Sequence, residues 1–415
     1  MGPGVAPLPP LRQKGEPDIR VRIAAKKTSV SIAGPQEISV APVDDLRERR
    51  VLSTPVQLAL GESAWSVTDN RGRSTMIPRS GFRGQGPLSI TSVGPVLLRM
   101  DNGEYPGELR LTPRKDASAS EGAGLGFDVV ENVPVETYLA GVVAAELFKS
   151  WSLETFKAQA VAARGYALHE RTRAMAAGET YDVEASQMDQ AYAGATKNPT
   201  ALQAVRETTG QVLTWRGQVL RAYFSSCCGG RPGSARDTWP IKTGFEYNLA
   251  DPIQAHPRDF DCPCNASPRY HWSVVRPKSE LIARLKAYGQ QENQAIREIG
   301  SLSRIEVSAS NVDGRPSAYK VYDGRGKWYQ LSAEQLRLAC NTPAKGAAPI
   351  DSKNRVFSGD FTATVSGDNV TISGRGFGHG VGMCQYGAEG LSKLGKKFNE
   401  ILMLYYPGAA LERAY

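Results

Sequence analysis

The sequence predicts an α+β protein in which a small all-β module precedes a mixed core. Short alternations of apolar and polar residues, separated by Gly, Asp and Pro, run from about residue 18 to residue 115. Helical spacing of apolar residues begins after Pro134 and is later interrupted by further strands. Because these elements do not follow a regular strand–helix–strand repeat, the mixture is typical of an α+β fold.

The module before residue 115 is predicted from five alternating segments. A loop over 115–124 marks its boundary, although a strand at Leu125–Val130 is able to join the same sheet. The five predicted strands are Asp18–Ile23, Ser29–Ala33, Val56–Leu60, Leu88–Ile90 and Val96–Met100.

The core is predicted to begin with three helices. The first follows Pro134, the second follows Ser152, and the third covers Thr200–Thr209 and stops at Gly210. The later predicted elements are strands at Val212–Trp215 and Val219–Phe224, a helix at Ser279–Tyr288, hairpins at 304–322 and 361–372, and helices at Gly382–Leu394 and Phe398–Tyr405.

Length and composition are those of a globular protein. The 415 residues are 41% hydrophobic and 22% charged, which argues against disordered, collagen-like and coiled-coil classes. The net charge of +8 comes from scattered basic residues, so no nucleic-acid-binding stripe is predicted. No apolar run has membrane-spanning length. The Pro-rich leader, residues 1–17, is not a secretory signal, but it is compatible with a linker left after a signal or anchor was removed.

Glu146 is a lone acid at the end of the apolar stretch Val142–Phe148. Desolvation there would raise its pKa and keep it protonated near neutral pH, as a general acid requires. The alternative is an ordinary exposed glutamate at a helix end.

His379 lies in a glycine-rich block, Gly374–Ala388. Glycines let the backbone approach a ligand closely, although a tight packing turn explains the same density. The block lacks the Gly-Lys-[Ser/Thr] ending of a phosphate-binding loop, so phosphate binding is not predicted.

Six cysteines occur in an uneven grouping. Cys227 and Cys228 are adjacent, Cys262 and Cys264 flank Pro263, and Cys340 and Cys384 stand alone. Familiar zinc sites use two residues between paired cysteines, so disulfides or buried thiols are favoured over a metal site.

Several of these segments together resemble the SpoIID/LytB family of stage II sporulation protein D and amidase enhancers. The resemblance covers residues 126–410, with a looser match before them. The segments that carry it, in the family's order, are Val133–Glu146, Leu153–Ala167, Ser225–Gly230, Gly374–Ala388 and Tyr405–Gly408.

The resemblance implies a SpoIID-like catalytic domain over residues 126–415 and a peptidoglycan lytic transglycosylase acting on glycan strands stripped of peptides. Glu146 matches the family's catalytic acid. The resemblance implies groove or scaffold roles for Lys157, Gln159 and Arg164, and sugar contacts for Ser226, His379 and Gln385.

The chain departs from the family at its metal ligands. Sporulation members bind zinc in the stretch equivalent to Tyr181–Tyr192, where this chain has Glu184, Gln187 and Met188, so no zinc is expected there. The segment around Cys262 and Cys264 resembles that of non-sporulating members, and either residue is expected to form a disulfide or thiolate cluster with Cys228. No cofactor is predicted, with zinc as the open alternative.

By the same resemblance the protein is expected to be exported to the cell envelope, with peptidoglycan as its partner and a cell-wall amidase as a further one. The alternative function is a non-catalytic amidase enhancer or glycan-binding regulator of wall hydrolysis.

Overall fold

The computed structural model describes residues 14–34, 36–79, 86–114, 126–186, 189–256 and 261–415. The chain divides into two compact units. The first unit comprises the residues up to Val219 together with Glu412–Tyr415, and the second comprises Leu220–Leu411. Most of the predicted leader and the predicted loop at 115–124 lie outside the described residues.

The first unit consists of strands followed by helices. Its elements are β1 (Asp18–Lys27), β2 (Ser29–Ile32), β3 (Glu37–Pro42), β4 (Arg50–Ser53), β5 (Val56–Leu60), β6 (Ala64–Thr68), β7 (Ser74–Pro78), β8 (Leu88–Ser92), β9 (Leu98–Met100), β10 (Gly103–Tyr105), β11 (Glu108–Pro113), β12 (Phe127–Pro134), α1 (Val135–Glu146), α2 (Leu153–Ala176), β13 (Val183–Glu184), α3 (Pro199–Glu207), β14 (Gln211–Trp215) and β15 (Gln218–Val219).

A seven-stranded sheet of order β13-β1-β12-β11-β8-β3-β4 joins the predicted β module to the start of the core. Strand β12 pairs antiparallel with both β1 and β11, in registers that place Val133 opposite Ile19 and Val129 opposite Leu111. All four side chains are fully buried. The β module therefore does not form a separate unit with a boundary near residue 115. The unit boundary instead follows Val219.

The helices of the first unit begin where the sequence predicts. Strand β12 leads directly into α1 at Pro134, and α1 ends at Glu146 because Leu147 takes an extended conformation. Helix α2 is alanine-rich and buried along most of its length, and it packs against α1, α3 and β14. Small side chains permit this close packing on several sides. In the described part of the chain, none of the helices combines the length and apolarity that a membrane span requires.

The second unit contains two three-stranded sheets and several helices. Its elements are β16 (Phe224–Ser225), α4 (Ala235–Thr238), β17 (His271–Pro277), α5 (Lys278–Gln291), β18 (Arg304–Ser310), β19 (Pro316–Tyr322), β20 (Trp328–Ser332), α6 (Ala333–Asn341), β21 (Phe361–Ser366), β22 (Asn369–Arg375), β23 (Met383–Cys384), α7 (Gln385–Lys393), α8 (Phe398–Tyr405) and β24 (Ala410–Arg413), the last two residues of which belong to the first unit.

The core of the second unit lies between the sheets β17-β22-β21 and β18-β19-β20 and the helices α5 and α6. The predicted strand at Val219–Phe224 is reduced to β15 at one end and β16 at the other. Strand β16 pairs in parallel with β23, which places Ser225 opposite Cys384. This pairing brings the Ser-Ser-Cys-Cys turn beside the end of the glycine-rich block.

Candidate functional site

Glu146 ends α1 with its side chain half-buried. Its Oε1 accepts a hydrogen bond from the backbone N–H of Ala191 at 3.0 Å. The main chain therefore holds the carboxyl group in place, while the residue as a whole is only half-buried.

The segment that contacts Glu146 is itself fixed by buried hydrogen bonds. The hydroxyl of Tyr138 donates to Gln190 Oε1 at 3.0 Å, and Gln190 Nε2 donates to the carbonyl of Ala163 at 3.2 Å. The hydroxyl of Tyr192 donates to Glu131 Oε2 at 2.8 Å. Residues on both sides of Ala191 are thus anchored to the helices and the sheet.

Gly141 allows this segment to lie against α1. A Cβ at Gly141 would lie 2.3 Å from the carbonyl oxygen of Gly194 and 2.6 Å from the ring of Tyr192. We expect Gly141→Ala to lower the free energy of unfolding by about 1–3 kcal/mol, since overpacking forces backbone shifts. Thermal unfolding measures this loss. Gly300→Ala is the matched control because a Cβ there meets open space, and equal melting temperatures for the two variants would contradict the expectation.

Glu131 is a fully buried carboxyl group in β12. Burial raises its pKa from 4.5 to about 7, although the hydrogen bonds from Gly107 N–H and Tyr192 oppose the shift. The folded state thus holds its proton more tightly than the unfolded state. The stability that this group contributes is complete below about pH 4.5 and is lost as the pH rises to about 7.

Replacing Glu131 by Gln removes this titration. Relative to the wild type, the variant should gain up to about 3 kcal/mol of unfolding free energy between pH 4.5 and pH 8, because each pKa unit corresponds to about 1.4 kcal/mol. Urea unfolding at several pH values measures the difference. Parallel pH profiles for the two proteins would show that Glu131 has an ordinary pKa.

Beside the end of α1, Phe148 and Trp151 form an aromatic pair. Their ring centroids lie 5.3 Å apart, and Phe148 is 58% exposed. Exposed aromatic faces can stack on the apolar face of a sugar ring. No pattern in the sequence other than proximity to Glu146 points to these two residues.

Arg164 and Gln159 on α2 are fully buried. The Arg164 guanidinium donates to both carboxylate oxygens of Glu136, at 3.0 and 2.7 Å, and to the carbonyl of Gln211 at 2.8 Å. Of the two roles that the resemblance implied, this burial fits the scaffold role and not a place on the surface of a groove.

Lys157 lies about two turns before Arg164 on α2 and is half-buried. Its Nζ lies 2.7 Å from Glu207 and 3.1 Å from Glu154. Burial opposes the charged form, but the hydrogen bonds to both carboxylates outweigh it and raise the pKa of Lys157. The ammonium group therefore stays charged at neutral pH, and 14% of the side chain is exposed.

His379 is half-buried in the second unit. Its Nδ1 accepts a hydrogen bond from Val381 N–H at 3.1 Å, and its ring meets that of Trp239 edge-on at 4.8 Å. Burial lowers its pKa to about 4 against the opposing charge of Glu334. The imidazole is therefore neutral at neutral pH, and it can form hydrogen bonds without carrying charge.

A cavity of about 20 Å³ adjoins His379 and is also lined by Arg315, Glu334 and Asp237. This volume accommodates a water molecule and not a sugar ring, so the cavity is not itself a glycan site. His379 and Glu146 belong to different units, and the hypothesis that they line one groove stays a prediction.

The remaining predicted sugar contacts differ in exposure. Ser226 is half-buried, and its carbonyl accepts a hydrogen bond from Tyr386 N–H at 3.0 Å. Gln385, the first residue of α7, is only 5% exposed, which leaves little of its surface for contact with a substrate.

Three residues occupy the stretch in which sporulation members of the family bind zinc. Glu184 forms an ion pair with Arg22 at 2.8 Å, and Gln187 and Met188 lie outside the described residues.

Four buried cysteines converge in the second unit. Their Sγ atoms all lie within 4.8 Å of one another, and none is in a disulfide. The structure thus adds Cys384 to the three cysteines that the sequence places together. Burial and the neighbouring sulfurs raise the pKa of the Cys384 thiol. The members of this four-cysteine cluster are Cys228, Cys262, Cys264 and Cys384.

Residues 124–215 match the family model SpoIID, described as Stage II sporulation protein. Over this region the chain is similar to the SpoIID family. The matched region begins just before β12 and ends with β14, so it includes Glu146, its supporting segment, and the predicted residues of α2. The resemblance seen in the sequence is confirmed for this region.

Curated relatives extend the similarity beyond the matched region. An uncharacterized protein of Brachyspira hyodysenteriae is 29% identical over 306 residues, 74% of this chain and 71% of the relative. Stage II sporulation protein D of Bacillus subtilis is 28% identical over 299 residues, 69% of this chain and 76% of the relative. The amidase enhancer of Bacillus subtilis is 28% identical over 289 residues, which cover 66% of this chain and 40% of that protein.

Proposed function

We propose that this protein acts on the cell wall as an exported peptidoglycan lytic transglycosylase, with Glu146 of the SpoIID-like region as its acid/base. The observation that carries the proposal is the placement of Glu146. Its carboxyl group stands at the end of a buried helix, held at one oxygen by a backbone N–H, and an aromatic pair with an exposed Phe148 follows the helix. This combination suits a group that must stay fixed and still reach a polymer.

In the proposed reaction Glu146 first protonates the glycosidic oxygen between MurNAc and GlcNAc. The hydrogen bond from the backbone N–H of Ala191 to Oε1 fixes the position of the carboxyl group. The bond between the glycosidic oxygen and C1 of MurNAc breaks, and the GlcNAc side leaves as an alcohol that carries the proton. The resulting carboxylate then takes the proton of the C6 hydroxyl of the same MurNAc, whose oxygen attacks C1 and closes a 1,6-anhydro ring. Since the nucleophile comes from the substrate, one carboxyl group performs both proton transfers, whereas hydrolysis generally requires a second carboxylate to activate water or bind the sugar.

Binding of the glycan strand is assigned to the surface around the end of α1. Phe148 and Trp151 offer rings for stacking, and charged Lys157 can donate hydrogen bonds to sugar hydroxyls. Buried Arg164 and Gln159 support the helix that carries Lys157.

A test uses purified full-length protein and glycan strands from which the stem peptides have been removed. We expect fragments with 1,6-anhydroMurNAc ends, each lighter by one water than the corresponding hydrolysis product in the mass spectrum. Fragments with ordinary reducing ends would identify a hydrolase instead.

The second candidate function is a non-catalytic regulator, which the name of the Bacillus subtilis amidase enhancer favours. This function predicts that the protein binds glycan in a sedimentation assay, releases no fragments, and raises the activity of an added cell-wall amidase. Fragment release in the absence of any amidase would exclude it as the sole function.

A further inference from the structure

The four-cysteine cluster has the dimensions of a mononuclear metal site. All four sulfurs lie within 4.8 Å of one another, and those of Cys228 and Cys264 are 3.8 Å apart. A tetrahedral zinc ion with Zn–S bonds of about 2.3 Å places its sulfurs about 3.8 Å from one another. An iron–sulfur cluster contains several irons and bridging sulfides, and it requires wider spacing between the thiolates.

We propose that a single zinc ion is bound here by four thiolates, those of Cys228, Cys262, Cys264 and Cys384. Binding exchanges the four thiol protons for the metal ion, and no oxidant or reductant takes part. Four protein ligands leave no open position, so the site is structural. The proposal concerns the second unit and is independent of whether Glu146 is catalytic.

A tight turn explains how cysteines separated by one residue bind the same ion. The backbone N–H of Cys264 donates to the carbonyl of Cys262 at 2.7 Å, a hydrogen bond that spans three residues around Pro263. This turn brings both sulfurs to one side. The Cys-Pro-Cys spacing, which from the sequence argues against a metal, is therefore compatible with one.

Hydrogen-bond donors point at the sulfurs of the cluster. Sγ of Cys384 accepts from the backbone N–H groups of Cys228 and Gly387, both at 3.3 Å. The hydroxyl of Tyr405 lies 3.1 Å from Sγ of Cys262. Donors that form hydrogen bonds with the ligand sulfurs stabilise the negative charge of metal-bound thiolates. The buried guanidinium of Arg315, which donates to the carbonyl of Cys228 at 3.2 Å, adds positive charge nearby.

Cys227 lies next to the cluster but is not proposed as a ligand. Its Sγ contacts the carbonyl of Cys264 at 3.7 Å and the backbone N–H of Gly229 at 3.4 Å. Its backbone forms a β-bridge with Phe377, and successive side chains on extended backbone point in opposite directions. The Cys227 thiol also interacts with Cys264 and Cys384, but it is not part of the group in which all sulfurs lie within 4.8 Å of one another. We therefore assign Cys228, and not Cys227, as the ligand.

The proposed ion joins three segments that are distant in the sequence. Cys228 belongs to the turn after β16, Cys262 and Cys264 to the loop before β17, and Cys384 precedes α7 at the end of the glycine-rich block. Zinc would thereby fix the block that carries His379, and it would protect the thiols from oxidation outside the cytoplasm.

The experiment measures the metal in full-length protein produced in zinc-containing medium. We expect about one zinc per chain by elemental analysis, and, after replacement by cobalt, the visible absorption of a tetrahedral tetrathiolate. Cys264→Ser and Cys384→Ser should lose the zinc. The matched controls Cys227→Ala and Cys340→Ala, each a buried cysteine outside the cluster, should retain it.

Three outcomes would overturn the proposal. They are a disulfide among the four cysteines in metal-free wild-type protein, iron with sulfide in place of zinc, and a full zinc content in Cys384→Ser. The cobalt spectrum of the wild type needs no variant, so it decides whether four thiolates bind the metal even if a substituted protein does not fold.

Discussion

Replacing Glu146 by Gln is expected to reduce the rate of glycan cleavage by about 10²–10⁴, the usual cost of losing a general acid. Glutamine keeps the shape of the side chain, and its amide oxygen can still accept the hydrogen bond from Ala191. The amide N–H groups are far too weakly acidic to protonate the glycosidic oxygen. Fold and glycan binding should therefore be retained while turnover is lost, and the release of anhydro-ended fragments measures the effect.

Glu179→Gln is the matched control for this substitution. Glu179 lies in the same unit and is 37% exposed, and its side chain forms an ion pair with Arg173. Because a surface ion pair contributes little stability, this variant should cleave at the wild-type rate. Wild-type turnover in Glu146→Gln would show that another group supplies the proton. Slow cleavage by both variants would point to a general effect on the domain.

Local signals in the sequence predict the elements that carry Glu146. Pro134 marks the start of α1, Ser152 precedes α2, and α8 occupies Phe398–Tyr405 as the apolar spacing predicts. These features depend on residues only a few positions apart. The same holds for the hairpin of β21 and β22, which turns at Gly367 and Asp368.

Contacts between distant segments could not be predicted in this way. The pairing of β12 with β1 joins residues more than a hundred positions apart, which is why the unit boundary differs from the predicted one. Cys384 joins Cys228 across 156 positions, and nothing near Cys384 distinguishes it from a buried core thiol. For Arg164 the sequence does contain a signal. An alanine-rich helix is typically buried, and a buried arginine requires a partner for its charge.

Arg164→Met is expected to lower the free energy of unfolding by about 3–5 kcal/mol, because it removes one member of a buried ion pair and leaves the other without its charge partner. The Arg164 side chain has no exposed surface, and that of Glu136 is 14% exposed. Glu136 also accepts hydrogen bonds from Gly210 N–H and the hydroxyl of Tyr415. The loss therefore affects the contacts that hold α1, α2 and the chain end together.

Chemical unfolding of Arg164→Met measures this loss, with Arg206→Met as the matched control. Arg206 is an exposed arginine on α3 of the same unit, and its replacement should change the unfolding free energy by less than about 0.5 kcal/mol. Arg164→Lys keeps the charge but not the two parallel hydrogen bonds, so its loss of unfolding free energy should lie between those of Arg164→Met and Arg206→Met.

The activity per folded molecule of Arg164→Met separates the two roles that the resemblance implied. A scaffold role predicts unchanged cleavage by the folded fraction of Arg164→Met, whereas a groove role predicts full stability and weakened glycan binding, which would contradict the buried placement.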